Sequence, residues 1–482
     1  MGEADGRGIS SAAPAMSAAA ALVRSALLVA LAAAPLAAQQ PAPEGRRYLP
    51  DRADEDWSFL ATAPDTDFWD PLKYIALGRD GWYATLSAEV RYRAEGLRIR
   101  PSETRPSLVD NYFLQRYLFG ADLHFGPSLR VFTEVQSGVI NGSIRTPRAT
   151  DLNRLDLHQA FVEWRRPMSG GRGVTMKAGR QELAVGSTRL ISASPGLNVK
   201  RSFDGVSLAY RASTWTFVAA GARLVPLDPG VFDDELGRGQ PFWGVAAGRR
   251  KSPRFDRGEL GVYYLGIDRA DAPFAQGIAR ERRHTAGAKW NGSGKRAELN
   301  WDAIYQWGEF GASPIRAWAV ATETAYRWAG TRWRPRVSLR ADMASGDADR
   351  HDDRLESFNP LFPGNSYSGA VGLLGPTNIT DFTPALTVMP RRDLVLMFEA
   401  PSYWRTSGGD GVYNTSLRLL LPPTAGAGKY VGTNPSVVAI WQATPHLQTQ
   451  FVITRFLAGG FTRDTLIGPG FGFYSATFLY RF

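Results

Sequence analysis

No cysteine occurs in this chain, which excludes disulfide staples, thiolate-bound zinc and a thiol nucleophile. Histidine is scarce as well. His124, His158, His284, His351 and His446 stand far apart, without the short spacing of a histidine metal site. Beyond the N-terminal region no apolar run approaches the length of a membrane helix, and no apolar stripe of helical period appears. Nucleotide and calcium motifs are also missing. NGSGKR at 291–296 lacks the upstream glycine of a phosphate loop and the Ser or Thr after Lys295, so a hairpin turn explains it. GPGFGF near the C-terminus is a turn and a strand start, not a dinucleotide fingerprint. GDADRHDDR at 346–354 has enough carboxylates for calcium but lacks the glycine and terminal glutamate of an EF-hand. No metal and no cofactor is expected from these patterns.

What is present points to strands. Of 482 residues, 44% are hydrophobic, 12% are aromatic and 50 are glycine, a composition suited to many strands and tight turns. The mean hydropathy of -0.23 fits a soluble protein. A barrel that alternates lipid-facing and water-facing residues averages to the same value, so hydropathy does not discriminate. The net charge of +10 favours anionic partners: nucleic acid, acidic lipid or an acidic solute. MSAAAALVRSALLVALAAAPLAAQQ, at 16–40, has a basic Arg24, a short apolar core and small residues before Gln39, the layout of a secretory signal. Residues 1–38 therefore read as a signal peptide, with Met16 as a candidate start because Glu3 and Asp5 do not suit a signal's basic region. An exported chain does not meet nucleic acid.

Residues 39–80, rich in Pro, Asp and Arg and without a period, read as a periplasmic extension or plug. From 81 to 482 the pattern has period two, and no composition break marks a second domain. In GWYATLSAEVRYRAEG, Trp82, Ala84, Leu86, Ala88, Val90 and Tyr92 share one face, while Thr85, Ser87, Glu89, Arg91 and Arg93 share the other. The alternation recurs at 113–125, 296–307 and 316–328, and more weakly at 129–135, 160–164, 174–178, 206–210 and 394–400. RWRPRVSLRAD, at 332–342, sets Arg332, Arg334, Arg336 and Arg340 against Trp333, Pro335, Val337, Leu339 and Ala341. Four unpaired arginines in a dry interior would cost several kcal/mol each, so that face needs water or carboxylates. The last strand, FYSATFLYRF, would be an aggregating edge in an open sheet, whereas in a closed barrel it pairs with the first strand. Short turns alternating with long loops complete the pattern of an all-β, single-domain, transmembrane antiparallel up-and-down barrel in the outer membrane of a Gram-negative-type bacterium.

Several blocks resemble the alginate-export family of outer-membrane porins: DFWDPLKYIAL at 67–77 leading into RYRAE at 91–95, NYFLQRYLFGADLHFGPSLRVFTEVQS at 111–137, AGRQELAVGSTRLIS at 178–192 followed by RSFDGV at 201–206, and ASGD at 344–347 followed by SFNPLFP at 357–363. The resemblance implies a monomeric barrel of about eighteen strands. It also implies an arginine-lined, electropositive pore that passes an anionic polyuronate outward. Residues 225–283 match the family less clearly, and their loops are expected in the pore constriction or lid.

A polyanion pathway needs cations spaced along the axis, and arginine suits it because its fork binds carboxylates and stays charged. The candidates are Arg91, Arg93, Arg116, Lys177, Arg180, Arg189, Arg334, Arg336 and Arg340. The alternative for each is a bracing ion pair, with Glu89, Glu95, Asp122, Glu134, Glu163, Glu182, Asp204 and Asp342 as partners. The leading expectation is a passive channel for an acidic polysaccharide, in contact with outer-membrane lipid and with periplasmic polysaccharide-synthesis proteins as possible partners. The others are an anion- or phosphate-selective uptake porin and a barrel hydrolase. No Ser, His and Asp trio stands out for the last, so an enzyme is not expected.

Overall fold

The computed structural model describes residues 46, 48–101, 106–183, 185–252, 255–364, 372, 374–424, 428–463 and 469–482. The expected signal segment lies outside them. Eighteen antiparallel strands form one sheet closed on itself. The first nine are β1 (Trp82–Ile99), β2 (Leu108–Phe125), β3 (Leu129–Asn141), β4 (Asn153–Met168), β5 (Arg172–Gln181), β6 (Phe203–Arg211), β7 (Trp215–Leu224), β8 (Pro241–Ser252) and β9 (Phe255–Phe274). Then follow β10 (Gly277–Ser293), β11 (Ala297–Phe310), β12 (Ser313–Arg327), β13 (Arg336–Ala344) and β14 (Ile379–Arg391). Strand β15 runs through Leu394–Glu399 and Ser402–Arg405, and β16 through Tyr430–Thr433 and Ser436–Gln442. The last two are β17 (Leu447–Ala458) and β18 (Gly470–Arg481).

Closure comes from β1 pairing with β18, from Glu89 opposite Arg481 to Ile99 opposite Phe471. This leaves no open edge, the condition for crossing hydrocarbon with strands. Where β18 runs out, Ile75–Ala76 pairs with Ala84 and Tyr83 and extends the seam. Pro401 and Pro435 supply no N–H to the ladder and interrupt β15 and β16. Backbone bonds bridge both gaps: Ala400 donates to Pro384, Asn434 to Pro401 and Arg455 to Pro435.

The alternation read from sequence is the alternation observed. Along β1, Leu86 and Tyr92 are exposed while Glu89 and Arg91 are buried. Along β11, Trp301, Tyr305 and Trp307 face out while Asp302, Ile304 and Gln306 face in. The outward band includes Leu260, Val262, Val337, Leu339 and Ile453, all exposed as a lipid contact requires. Short turns join strands at the end that holds the start of β1 and the end of β18, which is therefore the periplasmic end. At the outer end the connections 142–152, 182–202, 225–240, 345–378 and 406–429 are long, although β9–β10 and β11–β12 turn tightly there.

One expectation needs correction. Residues 332–340 are not one strand: Trp333 (φ 64°) and Arg334 (φ 44°) form the turn between β12 and β13. Pro335, with no N–H for the ladder, separates that turn from the strand that starts at Arg336. Within residues 225–283, β8, β9 and part of β10 occupy 241–283, and 225–240 is the connection between β7 and β8. The period was hard to read because both faces of β9 are apolar. Leu260 and Val262 face lipid, while Tyr263, Leu265 and Ile267 face inward onto folded-in connections.

If Ile453, 69% exposed in the middle of β17, faces hydrocarbon, Ile453→Arg lowers barrel stability by about 2–4 kcal/mol. Urea unfolding of the protein in lipid vesicles measures this.

Candidate pore interior

The inward faces of β1 and β2 carry Glu89, Arg91, Arg93 and Arg116, side chains too polar to stand unpartnered inside a wall. Their partner is the connection 182–202, which turns into the lumen. Arg91 donates through Nη2 to the Leu197 carbonyl (2.6 Å) and Asn198 Oδ1 (3.2 Å), and through Nη1 to the Gly196 carbonyl (3.2 Å). Arg116 Nη1 donates to the Pro195 and Leu197 carbonyls, both at 2.8 Å. Arg93 Nη2 reaches the Gly196 carbonyl at 2.9 Å. Three guanidiniums thus cap the exposed carbonyls of one tight segment. In return, Asn198 Nδ2 donates to the carbonyls of Gln115, Val139 and Asp151 at 2.9–3.2 Å. Glu89 supplies the counter-charge, accepting from Arg116 Nε and from Arg481 Nε of β18, each at 2.8 Å, so the network also ties the closing seam.

The far side of the same connection crosses toward β9–β11. Arg189 donates to the Asn300 carbonyl (2.9 Å) and to Asn300 Oδ1 (3.2 Å), with Asp302 at 3.9 Å. Gly186, in the left-handed region at φ 70°, lies against the Tyr263 ring so closely that a Cβ there would sit 2.9 Å from it. Tyr263 in turn donates to Asp302 Oδ1 at 2.7 Å. Leu183, Val185, Leu190 and Ile191 join Phe242, Leu265, Ile267 and Phe362 in an apolar cluster. The connection 345–378 pairs with this one: Ser192 donates to the Phe362 carbonyl and Phe362 to the Leu190 carbonyl. Inside the β6–β12 wall the lumen is therefore filled by folded-in chain.

At the periplasmic end, residues 48–74 enter the mouth. Ala53 packs on Phe132 and Phe161, both inward on β3 and β4, and its carbonyl accepts from Arg130 at 2.7 Å. Gln159 donates to Asp51 at 2.9 Å, and Lys200 donates to the Pro50 carbonyl at 3.1 Å. Lys200 also pairs with Glu182, whose carboxylate accepts from His158 Nε2 at 3.0 Å in the tautomer that carries the proton there. Burial alone would raise Glu182, but the Lys200 ammonium and the His158 contact hold it down at about 2. Lys73 is fully buried beneath Tyr48, Trp57 and Phe482, its Nζ donating to the Leu86 carbonyl at 2.9 Å, with Glu55 at 3.9 Å. Burial, reinforced by the like charge of Arg52, pushes Lys73 down to about 7.

The expected pathway residues fall into four groups. Arg91, Arg93 and Arg116 hold the connection 182–202 as described, and Arg189 stands on that connection itself. Arg180 pairs with Asp204 at 2.8 Å and Lys177 with Glu163 at 3.5 Å. Arg336 bridges Glu298 and Glu323, both at 2.8 Å, and Arg340 reaches Asp381 at 3.0 Å; each stays partly open to the lumen. Arg334 is exposed in the periplasmic turn, away from the strand face that the sequence assigned to it. Sequence reasoning missed Arg130 and Arg481, although both share inward parity with named neighbours. It also missed Asn198 and Lys200, which sit in an irregular connection and carry no periodic signal.

Residues 82–467 match the alginate-export family. No curated protein matches the chain. Among solved structures it is similar to a BenF-like porin from Pseudomonas fluorescens Pf-5, with TM-score 0.57 and 12% identity over 83% of this chain and 98% of that one. It is also similar to Pseudomonas aeruginosa OccK2 (OpdF) in complex with glucuronate, with TM-score 0.52 and 12% identity over 82% and 96%. Acinetobacter baumannii OccAB1 is similar to the same degree, with TM-score 0.52 and 12% identity over 82% and 96%.

Arg116→Ala leaves Glu89 with one fewer partner and frees two carbonyls of the connection 182–202; the expected loss of stability is about 3–5 kcal/mol, read by urea unfolding, with a rise in single-channel conductance. The docked N-terminal segment favours neutral Lys73, so its protection from trypsin at the buried Arg52 weakens as pH falls from about 10 to about 7 and then levels off. Lys73→Met flattens that dependence.

Proposed function

The chain belongs to the alginate-export family and forms an outer-membrane channel, and from that premise we propose that it passes an anionic saccharide built from uronate units through a cation-lined path. The observation that carries this reading is the wall left uncovered by the folded-in connections. There Arg336 and Arg340, on one inward face of β13, are partly open to the lumen and stand beside carboxylates that neutralise but do not bury them. A guanidinium held in this way exchanges one carboxylate for another at low cost, as a path that must release its cargo requires. Lys177 and Lys289, each about one-fifth exposed, continue the basic character around the wall. The net charge of +10 acts in the same direction over longer range.

A second reading, uptake of small anions, is favoured by the connection 182–202 crossing the lumen, which narrows the path for a polymer. The glucuronate complex of OccK2 supports the same carboxylate chemistry at monomer size. Residues 48–74 then serve as a plug in either reading, because they occupy the periplasmic opening through which a solute must pass.

In planar bilayers, current through the purified protein is expected to prefer anions and to be blocked by polymannuronate but not by neutral dextran. Block by glucuronate or phosphate without block by polymannuronate selects the uptake reading, and indifference to all of them contradicts both. Arg336→Gln with Arg340→Gln lowers anion selectivity; unchanged selectivity removes that pair from the path.

A further inference from the structure

We propose that Asn153, Asp156, Asp233 and Asp234 form a calcium site at the outer rim of the barrel, on the side away from Arg336 and Arg340. The site is assembled by topology. Connection 225–240 folds back along the start of β4, where Leu155 pairs with Val231, Leu155 donates to the Gly230 carbonyl and Phe232 donates to the Leu155 carbonyl. This brings two acids next to a third: Asp156 Oδ2 accepts from the backbone N–H groups of Asp233 (3.0 Å) and Asp234 (2.9 Å). One carboxylate oxygen each from Asp156, Asp233 and Asp234 lies within 4.8 Å of the others, the only such convergence of three potential ligands among the described residues. The acidic loop 346–354, richer in carboxylates by sequence, shows no such convergence.

The second observation is a pair of buried oxygens that no donor serves. Asn153 is fully buried and its amide lies against Asp234, Nδ2 to Oδ2 at 3.0 Å, yet its Oδ1 has no hydrogen-bond partner. Asp233 Oδ1 is likewise buried and unpartnered, while its Oδ2 accepts from the Gly230 N–H. Orphaned buried acceptors are rare and call for an ion or a water.

The nearby positive charge is already committed. Arg180 bonds to Asp204 at 2.8 and 3.1 Å and to the Asp234 carbonyl at 3.1 Å, and stands 3.9 Å from Asp156. Every donor offered is a hard oxygen, from carboxylates and an amide, which selects calcium over zinc or copper. At the outer rim such a site meets the extracellular medium, where weak calcium sites of Kd about 10⁻⁴–10⁻³ M fill. Bound calcium would fasten connection 225–240 to β4, and through the Val225 bond to the Ser202 carbonyl it would steady the end of connection 182–202 as well.

The test uses the full protein in detergent, with folding checked by heat-dependent gel mobility. Calcium titration calorimetry is expected to find one site. Trypsin cleavage after the exposed Arg238 is expected to slow about tenfold at calcium near ten times Kd, relative to chelator. Asp233→Asn and Asp234→Asn each abolish both effects, and Asp349→Asn in the loop 346–354 leaves them intact. Absence of binding by the wild type, or equal binding by the wild type and a folded Asp233→Asn or Asp234→Asn variant, overturns the site. If Asp234→Asn fails to fold, Asp233→Asn alone decides.

Discussion

A guanidinium that faces the inside of a membrane barrel must find acceptors within reach, because the wall behind it is closed and lipid lies beyond. That constraint organises this molecule. Arg91, Arg93 and Arg116 point inward from two adjacent strands, and the two carboxylates beside them, Glu89 on Arg116 and Glu95 on Arg93, leave most of their N–H groups unserved. The chain meets the deficit by bending the connection 182–202 into the lumen, so that its carbonyls become the missing acceptors.

From this bend the rest follows in steps. The crossing connection carries apolar residues that must be covered, and Phe203, Phe242, Leu265 and Ile267 on the inner faces of β6, β8 and β9 cover them. Lys200, at the end of the same connection, is drawn inside with its counter-charge Glu182, and it meets the N-terminal segment at the Pro50 carbonyl. What remains open is the wall around β13, whose arginines are neutralised by carboxylates but not covered. The same residue type thus stands in two settings: bonded to the carbonyls of the connection 182–202 on β1 and β2, and beside carboxylates with part of its surface open on β13.

The barrel was largely legible in the sequence because its rule is local. Residues two apart share a face, and lipid demands apolar side chains on one of them, so β1, β2, β11, β12 and β18 could be read directly. The same rule failed at β9, where Tyr263, Leu265 and Ile267 are apolar on the inner face because distant chain packs there. It overreached at Arg332 to Arg334, where parity holds but Pro335 ends the ladder. The site was less legible than the fold. Inward direction could be assigned to Arg91, Arg116 and Arg336, but whether a carbonyl, a carboxylate or a solute meets each one depends on how connections far away in sequence fold. The same holds for Asn153 and Asp234, which lie in separate parts of the chain and show no motif.

The absence of native cysteine allows the position of connection 182–202 to be measured directly. A Cβ built on Gly138 of β3 would lie 2.7 Å from a Val199 methyl carbon, and one further C–C bond puts the two Cβ atoms no more than about 4.2 Å apart, within the separation of a disulfide. The double variant Gly138→Cys, Val199→Cys is therefore expected to cross-link under mild oxidation in the folded, membrane-inserted protein, detected as a shift in gel mobility that reductant reverses. Two thiols that stay free and fully reactive toward a water-soluble maleimide would place the connection outside the lumen and contradict the arrangement on which the pore interior rests.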